Sequence, residues 1–387
     1  MMKRKPIPKA DLETLIPLLM GTWRRFHKIS GPSDRLQTRE FRGVVEAITQ
    51  LQEAFNAGTP PKKHYFEDPK LLGAYLLYQW VVHYQQGLSL LGELPSSPKR
   101  VLDLCSGPAP FSFAALKHGA REVFALDQNQ TALQLAGEIS GRYGFPIQIR
   151  RWEHPSSLPV SGEFDCIILG HCLEELFPIS VKGAIEKQQQ FLDYLLRLLT
   201  PHGYLVIVGN SFGESNNRIL QIRDAMVKKR VPIQAPCVWQ GECPALQTSN
   251  SPCYAQREFE KPYLIKELQR AAQINLSSLK MSYLILRSPQ AAWPKLEQEQ
   301  ALYRIISPPV DSFQGKKFYL CGTGGKKSLS SRLPEHPPES KAFDFLRRGD
   351  LISIEKAFEV KSSYEIIAET SLKLKAPAGK PLPEIEP

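Results

Sequence analysis

The alternation of short apolar strands with helices between residues 98 and 208 constrains this chain more than any other feature. Val101-Leu102-Asp103-Leu104 runs into Cys105-Ser106-Gly107-Pro108-Ala109-Pro110 and then into a helix from Phe111 to Lys117. Glu122-Val123-Phe124-Ala125-Leu126-Asp127 is a second strand ending in an acid, and a helix follows across 131–143. Residues 147–150, 164–170 and 203–208 read as further strands, with a helix over 191–199 before the last of them. Strands separated by helices of this length predict right-handed crossovers and an open, mostly parallel sheet. The predicted class is α/β with a Rossmann-like sheet. Ligands of such sheets bind beyond the carboxyl ends of the strands, where the strand order reverses.

The loop after the first strand and the acid after the second have a joint use. A tight turn brings backbone amides close to a ligand, and an acid about 20 residues later can accept hydrogen bonds from a ribose. Asp127 lies 24 residues after Asp103. The GxGxxG glycines are missing, which disfavours a nicotinamide cofactor.

Flanking this core, residues 1–95 read as a helical region. Leu12, Leu15, Ile16 and Leu19 recur at helical spacing behind Asp11, a candidate cap. A second helix covers 41–56, with Val44, Val45, Ile48, Leu51 and Phe55 on one side and Gly58 as its stop. A third begins at Asp68-Pro69, a cap followed by a first-turn proline. Its aromatics, Tyr75, Tyr78, Trp80 and Tyr84, are expected in the core, with base stacking as the alternative. The core itself spans 96–290, with a cysteine-rich insertion at 231–258, a helix over 262–273 and a sixth strand over 279–287 that returns to the sheet. A basic segment at 291–335 holds the run Gly322 to Lys327, expected as a loop or hairpin suited to phosphate; it lacks P-loop spacing. Residues 336–387 are expected to form a small β module, with strands at 351–360 and 364–374, and a tail.

Four of the seven cysteines, Cys237, Cys243, Cys253 and Cys321, belong to the insertion and the basic segment. The first three each adjoin a proline, and proline-stiffened turns can aim thiolates at one point. No histidine lies between His202 and His336, so a mixed Cys/His zinc finger is disfavoured. Four thiolates suit zinc or an iron–sulfur cluster. Without a CxxC pair, four unrelated core cysteines remain the alternative.

The net charge is +10, with basic doublets at 24–25, 150–151, 228–229, 316–317, 326–327 and 347–348. That favours a polyanionic partner such as RNA or DNA over a merely solvated surface. No apolar run is long enough to span a bilayer. The first residues carry no signal-peptide core, and an odd cysteine number argues against a disulfide framework. A cytoplasmic location is expected.

Val101 to Ala109, Asp127 and Phe164 to Ile168 resemble the first motif, second motif and fourth strand of class I S-adenosylmethionine-dependent methyltransferases. That resemblance implies a cofactor site at Asp103, Cys105, Ser106, Gly107, Asp127, Gln128, Gly170 and His171. Where such loops carry three alternate glycines, this chain has Cys105, Gly107 and Ala109, and Ala109-Pro110 is expected to crowd the cofactor. The stretch Gly170 to Leu176 matches neither the Asn/Asp-Pro-Pro-aromatic motif nor a Pro-Cys nucleophile. His171 or Glu174 stands where a base belongs, or serves the fold; no catalytic residue is assigned.

A narrower resemblance covers most of the chain. Tyr65 to Pro69, the Ser-Gly-Pro loop, Ala235 to Pro244, Cys253 to Arg257, Ser282 to Arg287, Arg304 with Pro308, Leu320-Cys321 and Arg348 to Leu351 are similar to the methyltransferase-like assembly factors of the mitochondrial small ribosomal subunit and their bacterial relatives. The resemblance implies that Cys237, Cys243, Cys253 and Cys321 hold a 4Fe-4S cluster. It also implies partnership with small-subunit ribosomal RNA and ribosomal proteins, with catalysis reduced. An active ribosomal RNA methyltransferase and a zinc-stapled RNA-binding protein are the alternatives.

Overall fold

A computed structural model describes residues 11–56, 66–154, 156–248, 252–296, 301–312, 315–322 and 324–384. The expected helix stop at Gly58, the side chain of Phe55, Tyr65 and Thr323 lie outside the described residues. The first sheet contains β1 (Arg100–Leu104), β2 (Glu122–Asp127), β3 (Gln148–Arg151), β4 (Phe164–Gly170), β5 (Leu199–Gly209), β6 (Ile233–Ala235), β7 (Ala255–Arg257) and β8 (Leu279–Arg287). Their order is β3-β2-β1-β4-β5-β8-β6, with β7 also on β8. Strands β1 to β5 pair in parallel, whereas β8 runs antiparallel to β5. This is the class I methyltransferase arrangement. The order reverses between β1 and β4, so a crevice opens beyond their carboxyl ends.

Strand residues alternate between two cores, as the two-residue period requires. Val101, Ala125, Ile168 and Val206 face one layer; Leu102, Leu126, Ile167 and Leu205 face the other. The first layer includes α1 (Leu12–Phe26), α2 (Thr38–Asn56), α3 (Pro69–Ala74), α4 (Trp80–Leu91), α5 (Pro110–Lys117), α6 (Gln130–Tyr143) and α10 (Tyr263–Ala271). The second includes α7 (Leu173–Leu176), α8 (Ala184–Arg197) and α9 (Gly213–Lys228).

The aromatics of the third predicted helix are core, as expected: Trp80 and Tyr84 are buried and stacked 5.3 Å apart. Asp68 caps α3, accepting from the amides of Lys70 and Leu71 at 2.9 Å each. Asp11 makes no such cap. Its carboxylate instead accepts from Lys117 and from Tyr143 Oη at 3.2 Å, tying α1 to α5 and α6. Between α3 and α4 the chain stays helical but widens to a π turn at Tyr75–Gln79, a distortion that re-aims side chains and often marks functional sites.

The second sheet comprises β9 (Ala301–Ile305), β10 (Val310–Ser312), β11 (Gly315–Gly322), β12 (Gly325–Ser331), β13 (Leu351–Glu355), β14 (Phe358–Val360), β15 (Ser363–Ile366) and β16 (Ser371–Ala376). Its order is β14-β15-β12-β11-β9-β13-β16, with β10 on β11. The basic segment and the expected β module therefore share one sheet, because β9 pairs with both β11 and β13. The two strands expected at 351–360 and 364–374 are four, since tight turns interrupt each apolar run. Among the described residues, no helix is long and apolar enough to cross a membrane.

Candidate functional site

The crevice between β1 and β4 is built on strained backbone. Cys105 (φ 56°), Ala109 (φ 62°) and His171 (φ 57°) all adopt the left-handed region, as does Gly107 (φ 55°). Each non-glycine residue there costs roughly 1–2 kcal/mol, so neighbouring contacts must hold the loop. Ser106 N donates to Leu126 O (3.0 Å), and Gly107 N to Asp127 Oδ2 (2.7 Å). Trp80 Nε1 donates to Pro108 O (2.9 Å). Below the loop, Asp103 Oδ2 accepts from Ser112 N (2.9 Å) and Ser112 Oγ (2.7 Å). Asp127 Oδ1 accepts from Asn129 N (2.8 Å), so backbone amides orient both its oxygens. Ala109, expected to crowd a cofactor, is instead wholly buried in the first core.

The crevice is acidic. Burial pushes the Asp103 carboxyl up to about 7, with Asp127 nearby adding to it. Burial also raises Asp127, against the amides that lower it. Glu175 reaches solvent, yet the surrounding protein, and then Asp127 and Glu174, push it up to about 7. Such mutually unfavourable acids suit a cationic ligand.

The β4 side is filled. A side chain at Gly170 would put its Cβ 2.4 Å from the Phe111 ring, so only glycine fits. His171 stacks on His83 at 4.4 Å and 16°, and His83 stacks on Phe111 at 5.9 Å. His171 Nε2 is 2.9 Å from Gln86 Oε1, and His83 Nε2 is 2.8 Å from Gln79 Nε2. Burial pushes His171 down to about 4, so the imidazole is neutral near pH 7. Of the sequence-predicted residues, Asp103, Cys105, Ser106, Gly107, Asp127, Gly170 and His171 gather here, and Gln128 is exposed at the end of β2. His83, Gln86 and Gln79 were not singled out from sequence; they are polar residues inside an otherwise apolar helix, which was the available signal.

The second candidate site is a cavity of about 70 Å³. Cys237, Cys243, Cys253 and Cys321 all line it, with Arg223, Arg304 and Lys326 on its wall. Cys237 follows β6, Cys243 and Cys253 lie in the insertion before β7, and Cys321 projects from β11. All seven cysteines are free thiols. Burial, then the neighbouring thiols, push Cys253 up to about 12 and raise Cys321 and Cys243 as well. Among the described residues, no group of three or more His, Cys, Asp or Glu is placed to hold a metal ion.

Buried guanidinium groups surround the thiols. Arg223 donates to the carbonyls of Trp239 and Gly241 and to Asp224 Oδ1 (2.7 Å), tying the insertion to α9. Arg304 donates to Pro236 O (3.0 Å) and Gly349 O (2.9 Å). Arg257 meets Glu93 at 2.5 Å, and Arg348 lies 3.9 Å over the Tyr254 ring. Yet Arg223 Nε, Arg257 Nε, Arg348 Nε and Arg304 Nη2 are buried with no hydrogen-bond acceptor. Orphaned donors of this kind are expensive unless something anionic completes them. Arg223 escaped the sequence reading. Its signal was a charge among Ile219, Ile222 and Met226, the buried stripe of α9.

Residues 74–330 match the family described as mitochondrial small ribosomal subunit Rsm22. This chain belongs to the Rsm22 family. The matched span contains the β1 and β4 loops and all four cysteines of the cavity. No curated protein matches the chain. Among solved structures, it is similar to a SAM-dependent methyltransferase from Aquifex aeolicus at 13% identity, covering 53% of this chain and 89% of that one, with a TM-score of 0.34. It is similar to Thermoplasma acidophilum 1320 at 12% identity, covering 65% and 98%, with a TM-score of 0.31. The plantazolicin methyltransferase BpumL in complex with SAH matches at 12% identity, covering 72% and 96%, with a TM-score of 0.34. For this Rsm22-family chain, the strand order described above, and not those distant likenesses, carries the fold assignment.

Proposed function

We propose that this chain acts in assembly of the small ribosomal subunit by binding its ribosomal RNA, and that its cysteine cavity holds a 4Fe-4S cluster. One observation carries the reading. Four cysteines from separated parts of the chain converge on one cavity edged by buried guanidinium nitrogens that lack acceptors. A cluster held by four thiolates is a sulfur-rich anionic group, and hydrogen bonds to its sulfurs are a normal part of its setting. Cys237, Cys243, Cys253 and Cys321 would ligate it, while Arg223 and Arg304 would donate to it. A cavity also suits a cluster better than zinc, whose four sulfurs must stand about 2.3 Å from one point. When bound, the cluster supplies a staple between the insertion and the second sheet, because binding free energy becomes folding free energy.

S-adenosylmethionine is the ligand we propose for the acidic crevice. Asp127 would accept from its ribose, the backbone from Cys105 to Gly107 would line its amino-acid end, and Asp103 and Glu175 would favour its positive charge. Gln128, Gly170 and His171 complete the candidate set. The bound cofactor would supply an electrophilic methyl group. The neutral, stacked and hydrogen-bonded His171 is a poor base, which favours cofactor binding with reduced catalysis over an active methyltransferase.

Anaerobic purification with iron, sulfide and visible-absorption analysis tests the metal reading, on wild type and Cys253→Ser. About four irons with matching sulfide, lost in the variant, are expected. One zinc and a colourless protein would replace the cluster with a zinc staple. Methyl transfer to small-subunit RNA would move the function to an active enzyme.

A further inference from the structure

We infer that the solvent-facing half of the second sheet's Cys321 face is the surface that grips single-stranded RNA, with Tyr319 as a stacking platform between Lys317 and Lys326. The inference rests on the RNA-binding reading above and assigns it a location. Lys317, Tyr319 and Cys321 alternate along β11 and so share a face. Across the ladder, Ser330, Ser328 and Lys326 stand opposite them on β12. The other face of the same strands, with Phe318, Leu320 and Leu329, is the buried third core. At the Cys321 end, the shared face closes over the cysteine cavity beside Arg304, its partner on β9. At the other end it opens to solvent, and Tyr319 is 38% exposed there.

Tyr319 suits a strand by its own propensity, so its exposure alone assigns no role; its setting does. Here it is flanked by two cations: Lys317 Nζ lies 5.2 Å and Lys326 Nζ 5.3 Å from the ring centroid. Stacked bases and backbone-tracking cations are the two components of sequence-tolerant single-strand binding. Glu365, opposite Ser330 on β15, is engaged by Arg332 at 3.0 Å, which limits its repulsion of a phosphate. The charge complementarity thus favours RNA over an acidic protein segment, which would gain little from a stacking ring.

This placement corrects a simpler reading of the basic doublets. Lys327 points to the opposite side, donating to Tyr364 Oη (2.8 Å) and to Glu359, and Arg348 packs on Tyr254. Reversing those two charges would test folding as much as binding. Lys317 and Tyr319 are the informative positions.

The experiment measures binding of the full chain, purified anaerobically, to a fluorescent 12-nucleotide single-stranded RNA across a salt series. Tyr319→Ala is expected to weaken binding on the order of tenfold, whereas Tyr319→Phe keeps the ring and restores it. Lys317→Gln is expected to lower the slope of log K against log salt by about 0.7, the increment of one single-strand phosphate contact. Lys182→Gln, an exposed lysine between α7 and α8, reports the effect of an unrelated charge and is expected to change the slope less. Wild-type binding with Tyr319→Ala and Lys317→Gln both unchanged would overturn this surface and leave the RNA reading intact. Such a result with lost subunit association would assign the face to a protein partner. A wild type that binds no RNA would overturn both readings together.

Discussion

Asp103 shows how one buried residue can carry a pH signature. It is 1% exposed, and its carboxyl is pushed up to about 7 in the folded chain against an ordinary value near 4. The folded state therefore holds a proton that the unfolded chain releases between about pH 4 and 7. A raised acid of this kind stabilises fully below the unfolded value, and that contribution is lost as pH rises through the folded value. The loss is at most about 1.4 kcal/mol per pH unit. Asp103→Asn removes the titration while keeping an acceptor for Ser112. Its stability relative to wild type should therefore rise from pH 4 to pH 7. Urea midpoints for both proteins across that range check it; parallel curves would mean that Asp103 is ionised in the folded chain.

At the scale of elements, the crevice owes its shape to the seam between α4 and α5. Gly87 on α4 lies so close to α5 that an added Cβ would stand 2.7 Å from Ala114 Cβ and 3.0 Å from Phe111 Cδ1. Phe111 in turn presses on Gly170 and on the His83–His171 stack, so the seam reaches the β4 loop. Two effects oppose each other in Gly87→Ala. Helix propensity favours alanine by about 1 kcal/mol, while overpacking a core costs about 1–3 kcal/mol. Both obstructing atoms belong to buried side chains, so overpacking should win and leave a net loss on the order of 1 kcal/mol. Chemical denaturation measures it directly, and a stabilised variant would show that the seam can relax. The π turn that precedes α4 belongs to the same device. It sets Tyr75 beside Gly107, where a Cβ would meet Tyr75 Oη at 3.4 Å.

For the whole molecule, the cysteine cavity joins parts of the two sheets that lie far apart in sequence. The first sheet contributes β7, β8 and the insertion, and the second contributes β11 and β9. Arg304 reinforces the join by donating from β9 to Pro236 O beside Cys237. Cys321→Ser should thus loosen the join and leave the first sheet intact. Hydrogen exchange on anaerobic protein should quicken over 237–248, 252–254 and β11, with β1 to β5 unchanged. A global increase would mean that the two sheets unfold as one unit; no change would mean that Cys321 holds nothing.

The sequence by itself determined the local elements and the chemical inventory. Strand and helix periods placed β1, β2, β4 and β8 within a residue or so, because alternation of apolar residues directly reflects burial on one or two faces. Proline-flanked cysteines and an acid at the end of β2 are legible in the sequence as residue types suited to a metal and a ribose. Only the tertiary structure decided what met what. Asp11, a helix cap by pattern, became a partner of Lys117 and Tyr143, since a carboxylate takes the strongest donors within reach. The basic segment and the β module became one sheet because ladder pairing between β9 and β13 joins residues far apart in sequence. Arg223 and Arg304 came to edge the thiols by the same kind of long-range contact. Such contacts leave no periodic trace in a single sequence, for they depend on how whole layers pack and not on the order of neighbours along the chain.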